Sequence, residues 1–183
     1  MKSTKKIIVI SGPSGVGKNT VINKVLKENE NIKFITPFTT RKIRDGEVDS
    51  KDYYFISRDE FNNNYVNNNI YDWDYTLSNY YGFFCKDISS SSTLLITHSL
   101  AKMALRMKTS DPEIFKTIFI GTGDFNIYEK RIFKRDEQEN DLDERKIHGE
   151  NELVHRDLFD FYFNTDDADK ITQLLIDLIN KKN

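Results

Sequence analysis

The sequence predicts an α/β fold built on a parallel sheet, and three observations lead to that prediction. An apolar run at residues 7–10 leads directly into a glycine-rich loop, Gly12 to Thr20, and then into an amphipathic stretch. Two more short apolar runs, at 93–97 and 116–120, are typical of strands that are buried on both faces. Strands alternate with predicted helices, so we expect right-handed crossovers and helices covering both faces of the sheet.

The first strand is predicted at residues 7–10 because Ile-Ile-Val-Ile is an unbroken apolar run. Residues 18–29 are predicted to form a helix, since apolar residues recur there at helical spacing. The next region mixes short strands and turns. Its predicted elements are a strand at 51–57, a helix at 59–68 capped by Ser57 or Asp59, and an extended segment at 70–75.

The second half of the chain continues the alternation. Residues 93–97 and 116–120 are predicted to be buried parallel strands, 125–134 a helix, and 157–163 the last strand. The final helix is predicted at 167–181 and is amphipathic. Five apolar residues are expected on one of its faces: Ile171, Leu174, Leu175, Leu178 and Ile179.

Length and composition limit the classes of protein that the chain can represent. Its 183 residues are enough for one domain with a sizeable core. A single cysteine excludes an internal disulfide framework and favours a reducing compartment, so a cytoplasmic location is expected. No run approaches the ~18 apolar residues of a membrane span. The net charge of −2 gives no general attraction to nucleic acid or membranes, so neither is an expected partner.

The glycine-rich loop has the spacing of a phosphate-binding loop, with Gly12 and Gly17 separated by four residues and Lys18 next. Backbone N–H groups of such a loop cradle phosphate oxygens, and the lysine reaches the outer phosphates of a nucleoside triphosphate. The pattern has Ser or Thr after the lysine, as a Mg²⁺ contact. Here Asn19 and then Thr20 follow, and both are candidates for that contact.

A second cluster of residues points to a second phosphate. Arg41 and Arg44 lie three residues apart, and a guanidinium group binds phosphate through two hydrogen bonds at once. Tyr53 and Tyr81 offer phenol hydroxyls to the same kind of anion. Each feature alone is more often an ordinary surface or packing feature. Together with the phosphate loop, they predict phosphoryl transfer from a nucleotide to a phosphorylated small molecule.

Four sequence blocks and the spacing between them resemble the guanylate kinase family: Gly12 to Lys18, Thr39 to Glu47, Lys51 to Phe55, and Asn79 to Gly82. The resemblance extends to 130–135 and Arg145, which look like the family's mobile lid, and to 163–166 before the last helix. It implies a P-loop kinase fold with a parallel five-stranded sheet flanked by helices. The implied parts are a core at 1–36, 93–129 and 149–183, an inserted mixed-β acceptor-binding region at 37–88, and a helical lid at 130–148.

The resemblance also implies roles for individual residues, with ATP and Mg²⁺ as the bound donor and ion. The residues implied in ATP binding are Gly12, Ser14, Gly15, Gly17, Lys18, Asn19, Thr20 and, near the adenine, Asn164. Those implied in acceptor binding are Arg41, Arg44, Tyr53, Asp72, Tyr81 and Phe83. The catalytic residues implied are Lys18, Arg41 and the lid arginines Arg131, Arg135 and Arg145.

The residues that read the guanine base in this family are largely changed in this chain. Pro37 replaces a serine, Asp72 replaces a glutamate, and Phe83 replaces a serine or threonine. Proline and phenylalanine cannot donate hydrogen bonds to a purine, and unpaired polar groups cost much discrimination between substrates. The sequence therefore predicts a retained phosphate clamp and an altered base reader.

The strand at 93–97 also lacks the acidic residues that follow it in the family. Thr97 and His98 stand at the strand end, and an aspartate there commonly helps to position Mg²⁺. We therefore expect the nucleotide phosphates and water to provide most of the ligands of the ion, an arrangement that Mg²⁺ commonly adopts. A lone histidine such as His98 is more often structural than catalytic.

Three functions remain open at this point. The first is a nucleoside monophosphate kinase that acts on GMP, dGMP or a related or modified nucleotide. The second is a kinase of a base-free phosphorylated sugar such as ribose 1,5-bisphosphate. The third is a non-catalytic binding module, which the intact glycines and Lys18 disfavour. Either a monomer or a homodimer is compatible with the sequence.

Overall fold

The computed structural model describes residues 5–89, 92, 94–122, 128 and 142–180, except the side chains of 142, 143 and 145. The first half of the chain contains β1 (Lys6–Ser11), α1 (Lys18–Glu28), β2 (Ile32–Phe34), β3 (Phe38–Thr39), β4 (Tyr54–Phe55), α2 (Arg58–Val66), β5 (Ile70–Thr76), β6 (Asn79–Phe84) and α3 (Cys85–Ile88). The second half contains β7 (Leu94–His98), α4 (Ala101–Ser110), β8 (Phe115–Ile120), α5 (Leu142–Leu153), a 3₁₀ turn (Arg156–Leu158), β9 (Phe161–Phe163) and α6 (Ala168–Asn180).

A five-stranded parallel sheet forms the centre of the molecule, in the order β2-β7-β1-β8-β9. Its middle strand, β1, is buried from Ile7 to Ser11 because it has a strand on each side and cover on both faces. Pairing places Ile10 opposite His98, so the ends of β1 and β7 lie side by side. The predicted fold class is confirmed.

The helices cover this sheet through apolar faces. α1 buries Val21, Ile22 and Val25, and it packs against α6 at the end of the chain. α6 buries Ile171, Thr172, Leu175 and Ile179. The expected apolar face was one position too wide, because Leu174 is 37% exposed at the edge of the helix contact. Among the described helices, none is both long and apolar enough to cross a membrane.

A second, four-stranded sheet has the order β4-β3-β6-β5 and mixes parallel and antiparallel pairs. It has its own small core of Phe38, Phe61 and Phe84. α2 packs onto this sheet through Phe61, whose ring stacks on that of Tyr80 with centroids 3.9 Å apart. Ser57 caps α2, and a reciprocal hydrogen bond with Glu60 completes a capping box. This sheet is the predicted mixed-β insertion.

Two predicted strands are shorter in the structure. Of 51–57 only Tyr54–Phe55 is a strand, because residues 48–52 form a turn in which Asp52 Oδ2 accepts from the Val48 N–H at 2.9 Å. Of 157–163 only Phe161–Phe163 is a strand, and the 3₁₀ turn precedes it. The strand β2 and the helix α4 were not predicted. The predicted helix at 125–134 lies outside the described residues, apart from Tyr128.

Candidate active site

A cavity of about 530 Å³ opens between the two sheets, at the carboxyl ends of β1 and β7. Parallel α/β sheets bind ligands at this edge. The phosphate loop forms one wall of the cavity, the mixed sheet forms the facing wall, and the start of α4 together with α5 closes a third side. Most of the predicted site residues line this one space.

The phosphate loop is shaped by its glycines. Gly12 has φ 150° and Gly17 has φ 97°, and both angles are strained for other residues. A Cβ on Gly12 would also lie 2.2 Å from the carbonyl oxygen of Ile120 in β8, so only glycine fits there. In the described part of the chain, no side chain caps α1 and no acidic residue lies in its first turn. The N-terminus of α1 is therefore suited to an anion.

Lys18 lies at the end of this loop and folds back over it. Its Nζ donates to the carbonyl oxygens of Gly12 at 2.6 Å and Pro13 at 3.0 Å. Because phosphate oxygens are stronger acceptors than neutral carbonyls, a bound triphosphate would compete for this ammonium group. The structure thus places Lys18 where it can exchange loop carbonyls for phosphate oxygens.

The candidate metal contacts, Asn19 and Thr20, both line the cavity. Asn19 Nδ2 donates to Asp52 Oδ1 at 3.2 Å, so the amide oxygen is the Asn19 atom left to face an ion. Within the described residues, no three His, Cys, Asp or Glu side chains form a metal-binding group. This donor set fits a Mg²⁺ ion that is held mainly by nucleotide phosphates and water, with Asn19 and Thr20 nearby.

The facing wall carries a buried arginine clamp. Arg41 makes a bidentate ion pair with Glu47, with Nη1 2.7 Å from Oε2 and Nη2 2.6 Å from Oε1. Their side chains are only 9% and 14% exposed. The backbone N–H of Arg44 also donates to Glu47, at 3.0 Å. Glu47 therefore fixes the guanidinium group of Arg41 before any phosphate arrives. Sequence reasoning quoted Glu47 in the motif but gave it no role.

The same pair shifts two pKa values. Burial disfavours the charge on Arg41, but the hydrogen bonds that Arg41 donates to Glu47 and the negative charge of Glu47 outweigh it and raise the Arg41 pKa. Burial also disfavours the charge on Glu47, but hydrogen bonds from Arg41 and from the Arg44 backbone lower its pKa. Both groups are consequently ionised at neutral pH.

Aromatic rings complete the clamp. The Arg41 guanidinium lies 5.0 Å from the ring centre of Tyr53, and Tyr81 meets Tyr53 edge-on at 6.2 Å. Burial raises the pKa of Tyr53, so its hydroxyl stays protonated and can donate a hydrogen bond to an anion. Arg41, Arg44, Tyr53 and Tyr81 all line the cavity, as predicted for an acceptor-phosphate site.

Part of the cavity lining is apolar. Phe83 lines the cavity while being only 1% exposed, together with Pro37 and with Leu100 and Met103 from the start of α4. These surfaces can pack against a flat ring but cannot read its polar edge. Leu100 and Met103 were not among the predicted site residues, because α4 was not predicted.

Asp72 is the predicted acceptor residue that the structure takes out of the cavity. Its carboxylate is bound by Arg106 of α4, at 3.0 Å from Nη2 and 3.1 Å from Nε. Arg106 also binds Asp74 and the Trp73 carbonyl. Asp72 does not contribute to the cavity lining, because this cation beside β5 holds it. The prediction from sequence did not include Arg106.

Asn164 is likewise not at the cavity wall. Its side chain is exposed and its Oδ1 accepts from the Tyr162 hydroxyl at 3.1 Å. Asp166 and Ala168 line the cavity instead. The chain leaves β9 at Phe163, so the residues that turn back toward the loop lie further along than expected.

The predicted lid arginines lie largely outside the described residues. Arg131 and Arg135 lie outside the described residues, and so does the side chain of Arg145. The backbone of Arg145 belongs to α5, which runs without a break across the predicted lid boundary at 148–149. α5 brings two unpredicted residues to the cavity, His148 and Glu152. Their four-residue spacing puts both on one helix face.

Glu152 connects α5 to the start of α4. It is 6% exposed, and its two oxygens lie 2.9 and 3.1 Å from the backbone N–H of Ala101, which begins α4. Burial raises the Glu152 pKa to about 7, partly opposed by this N–H and by the charges of Lys18 and Lys102. Asp74 adds to the rise. The N-terminus of a helix normally stabilises a carboxylate and lowers its pKa. Here the pKa is raised, so the effect of burial is the larger of the two.

The variant Glu152→Gln is expected to change how stability depends on pH. The pKa of Glu152 is higher in the folded protein than the ordinary 4.5, so the folded state holds more protons between about pH 4.5 and pH 7. The free energy of unfolding that this group contributes therefore falls as pH rises through that window, by about 2–3 kcal/mol. Glutamine should remove that fall. In urea unfolding, the free energy of unfolding of the variant should therefore rise relative to that of the wild type between pH 5 and pH 8.

The matched control is Glu150→Gln, an exposed position on the same helix. His98 and His148, whose pKa values burial lowers to about 3 and about 4, add an opposite trend below pH 6.5 that is common to all three proteins. The difference between variant and wild type isolates Glu152. A difference that stays constant with pH would contradict the raised pKa.

The fold and the two facing phosphate walls are those of a phosphate-loop phosphotransferase with a separate acceptor region. Comparison with known proteins agrees. The family model described as guanylate kinase matches residues 4–182. The chain is 32% identical to a guanylate kinase of Prochlorococcus marinus (strain MIT 9312), over 98% of this chain and 99% of that protein. It is 31% identical to that of Mycoplasmopsis pulmonis (strain UAB CTIP), over 97% and 95%.

The crystal structure of guanylate kinase from Anaplasma phagocytophilum has the same fold, with a TM-score of 0.79, 24% identity, and coverage of 100% of this chain and 88% of that one. The chain belongs to the guanylate kinase family. It is an ATP-dependent nucleoside monophosphate kinase.

Proposed function

We propose that the enzyme transfers the γ-phosphoryl group of ATP to GMP, dGMP or a closely related or modified nucleotide. The observation that carries this proposal is the Arg41–Glu47 pair facing the phosphate loop across one cavity. A donor triphosphate and an acceptor monophosphate need two anion sites in this arrangement. The relatives in Prochlorococcus and Mycoplasmopsis are both named guanylate kinase, which supports a guanine nucleotide as the acceptor.

On the donor side, the loop amides and the N-terminus of α1 bind the phosphates of ATP. Lys18 leaves the carbonyls of Gly12 and Pro13 and binds the outer phosphates. Mg²⁺ would supply positive charge that offsets the negative charge of the nucleotide phosphates. Asn19 and Thr20 are the residues of this chain that would face the ion.

On the acceptor side, Arg41 offers its fork to the acceptor phosphate in an orientation that Glu47 holds. Tyr53 and Tyr81 donate hydroxyl groups, and Arg44 adds a second cation. The base lies against Phe83, Pro37 and Met103. The reaction needs no covalent enzyme intermediate, because positioning of the two phosphates and stabilisation of charge provide most of the catalysis. We include Arg131, Arg135 and Arg145 in that stabilisation on the basis of the family resemblance alone.

One observation favours a second candidate, a kinase of a base-free sugar phosphate. Arg106 holds Asp72 outside the cavity lining, and Phe83 lines the cavity where a hydroxyl residue was expected, so two of the expected base contacts are missing. The intact phosphate loop with Lys18 argues against a non-catalytic binding module. We place the enzyme in the cytoplasm with small-molecule nucleotide substrates, as a monomer or homodimer, and without nucleic acid or membrane partners.

A panel of acceptors tests the proposal. ATP and Mg²⁺ are supplied with GMP, dGMP, IMP, AMP or ribose 1,5-bisphosphate, and ADP release is measured by a coupled assay. GMP and dGMP should be turned over. IMP lacks only the 2-amino group of GMP. Its turnover should be lower than that of GMP by no more than about tenfold, because the Asp72 carboxylate is bound by Arg106 and cannot accept from that amino group.

The other outcomes separate the candidates. Turnover of ribose 1,5-bisphosphate without any nucleotide would replace the first proposal by the second. Strong selectivity for GMP over IMP would show that another group reads the amino edge. The variant Arg106→Ala releases Asp72 and should increase the ratio of GMP to IMP turnover. Lys102→Ala, on the same helix, serves as its control.

A further inference from the structure

His98 is a buried polar side chain that the proposed reaction leaves without a role. It ends β7, next to the end of β1, and is 4% exposed. Its ring lines the cavity, but its Nε2 has no hydrogen-bond partner among the described residues. Buried side-chain nitrogens are nearly always paired, so an unpaired one on a residue that lines a ligand cavity indicates a missing ligand atom.

The ring is fixed on two sides by other rings. The ring centre of Tyr53 lies 5.1 Å away, edge-on, and that of Phe34 lies 5.8 Å away. Lys18 of the donor wall and Arg41 of the acceptor wall are both near enough to oppose a positive charge on the imidazole. His98 therefore lies near charged groups of both the phosphate loop and the arginine clamp.

The surroundings of the ring also determine whether Nε2 is a hydrogen-bond donor or an acceptor. Burial and those two cations lower the His98 pKa to about 3, so the ring is neutral. A hydrogen bond to the Asp52 backbone acts against this lowering, as expected when the ring donates an N–H to a carbonyl. In a neutral imidazole with one nitrogen donating, the other carries a lone pair. Nε2 is therefore an acceptor that needs a donor.

Few hydrogen-bond donors can stand between two phosphates. Phosphate oxygens are acceptors themselves and would repel the lone pair of Nε2. Water molecules bound to Mg²⁺ are donors, and Mg²⁺ on a nucleotide usually keeps several of them. The described residues also include no carboxylate cluster that could hold such an ion. The donor that fits Nε2 is thus a Mg²⁺-bound water.

We propose that His98 Nε2 accepts a hydrogen bond from a water in the coordination shell of the Mg²⁺ carried by ATP, and so positions the ion. The proposal rests on ATP as the donor substrate. His98 then stands in for the acidic residue that is absent at the end of β7. It is a positioning residue, because it acts on the reacting phosphate through the water and the ion.

Calorimetric titration of ATP tests this role without any measurement of activity. His98→Leu removes the acceptor atom and keeps an apolar side chain in the site. It should weaken ATP binding about five- to tenfold when Mg²⁺ is present, and leave it unchanged when EDTA is present. His98→Gln keeps an acceptor atom at similar reach, and should recover most of the Mg²⁺-dependent affinity. His155→Ala, at a half-buried histidine that bonds to the Asn151 backbone and does not line the cavity, should match the wild type in both conditions.

Other results would overturn the proposal. An equal loss for His98→Leu with Mg²⁺ and with EDTA would show a general disturbance of the loop. A loss of GMP affinity alone would place Nε2 on the acceptor instead. Titration in buffers of different ionisation enthalpy adds a second check: proton uptake that depends on His98 would mean that the ring donates to phosphate. If the wild type itself binds no ATP, the proposed function fails, and this result is distinct from all of the others.

Discussion

Replacing Lys18 with alanine is expected to lower kcat by about 10²–10³-fold with ATP and Mg²⁺ as the donor. The ammonium group lies on the phosphate loop, 2.6 Å from the Gly12 carbonyl, and it is the loop cation that would stabilise charge on the transferred group. The loss should fall mainly on kcat, because that charge grows in the transition state. Steady-state kinetics with a coupled ADP assay measures it.

Lys24→Ala provides the control for this change. Lys24 belongs to the same helix, but its ammonium group pairs with Asp169 on α6, away from the loop. It should keep wild-type kinetics, since an exposed ion pair contributes little to stability. Thermal unfolding of both variants should confirm that the fold is retained. A folded Lys18→Ala enzyme with wild-type turnover would refute the role of Lys18 in transfer.

Arg41→Ala is expected to have the second largest effect, with kcat/KM for the acceptor lowered about 30- to 150-fold. This corresponds to about 2–3 kcal/mol for hydrogen bonds from a charged donor. The same change should also lower the free energy of unfolding, because it leaves the carboxylate of Glu47 buried without its partner. Acceptor kinetics and urea unfolding measure the two effects separately.

The double variant Arg41→Ala/Glu47→Gln separates phosphate binding from stability. Removing the stranded charge should restore part of the lost stability, but it cannot restore the fork that binds phosphate. Arg41→Lys keeps the charge and loses the fork, so it should recover only part of the acceptor affinity. Recovery of full activity in the double variant would show that Arg41 acts on the fold alone.

Local patterns allowed most of the central fold to be predicted. β1, the phosphate loop and α1 are continuous in sequence, so the apolar run and the glycine spacing are enough to predict them. The short strand β2 could not be predicted, because three residues, Ile32–Phe34, carry almost no periodicity. α4 was not predicted, although its sequence carries a helical signal. The buried positions Met103, Ala104 and Met107 do show helical spacing.

In the site, the predictable part was the set of side chains, and the unpredictable part was their pairing. Spacing indicated Arg41 as a phosphate ligand but could not show that Glu47 already holds it. Asp72 was predicted as a base reader, whereas Arg106, 34 residues further along the chain, takes its carboxylate. Glu152 and His148 reach the cavity only because α5 lies beside the start of α4. Such contacts join residues that are distant in sequence, so local sequence patterns cannot predict them.

The contact between Arg106 and β5 also has a mechanical consequence. It joins the helix that follows β7 in the central sheet to the sheet that carries the acceptor clamp, through Asp72, Asp74 and the Trp73 carbonyl. Arg106 is nearly half exposed, so water and dissolved ions screen these bonds. These hydrogen bonds and ion pairs therefore connect the two sides of the cleft, and added salt should weaken them. The cleft should open more readily as the ionic strength rises.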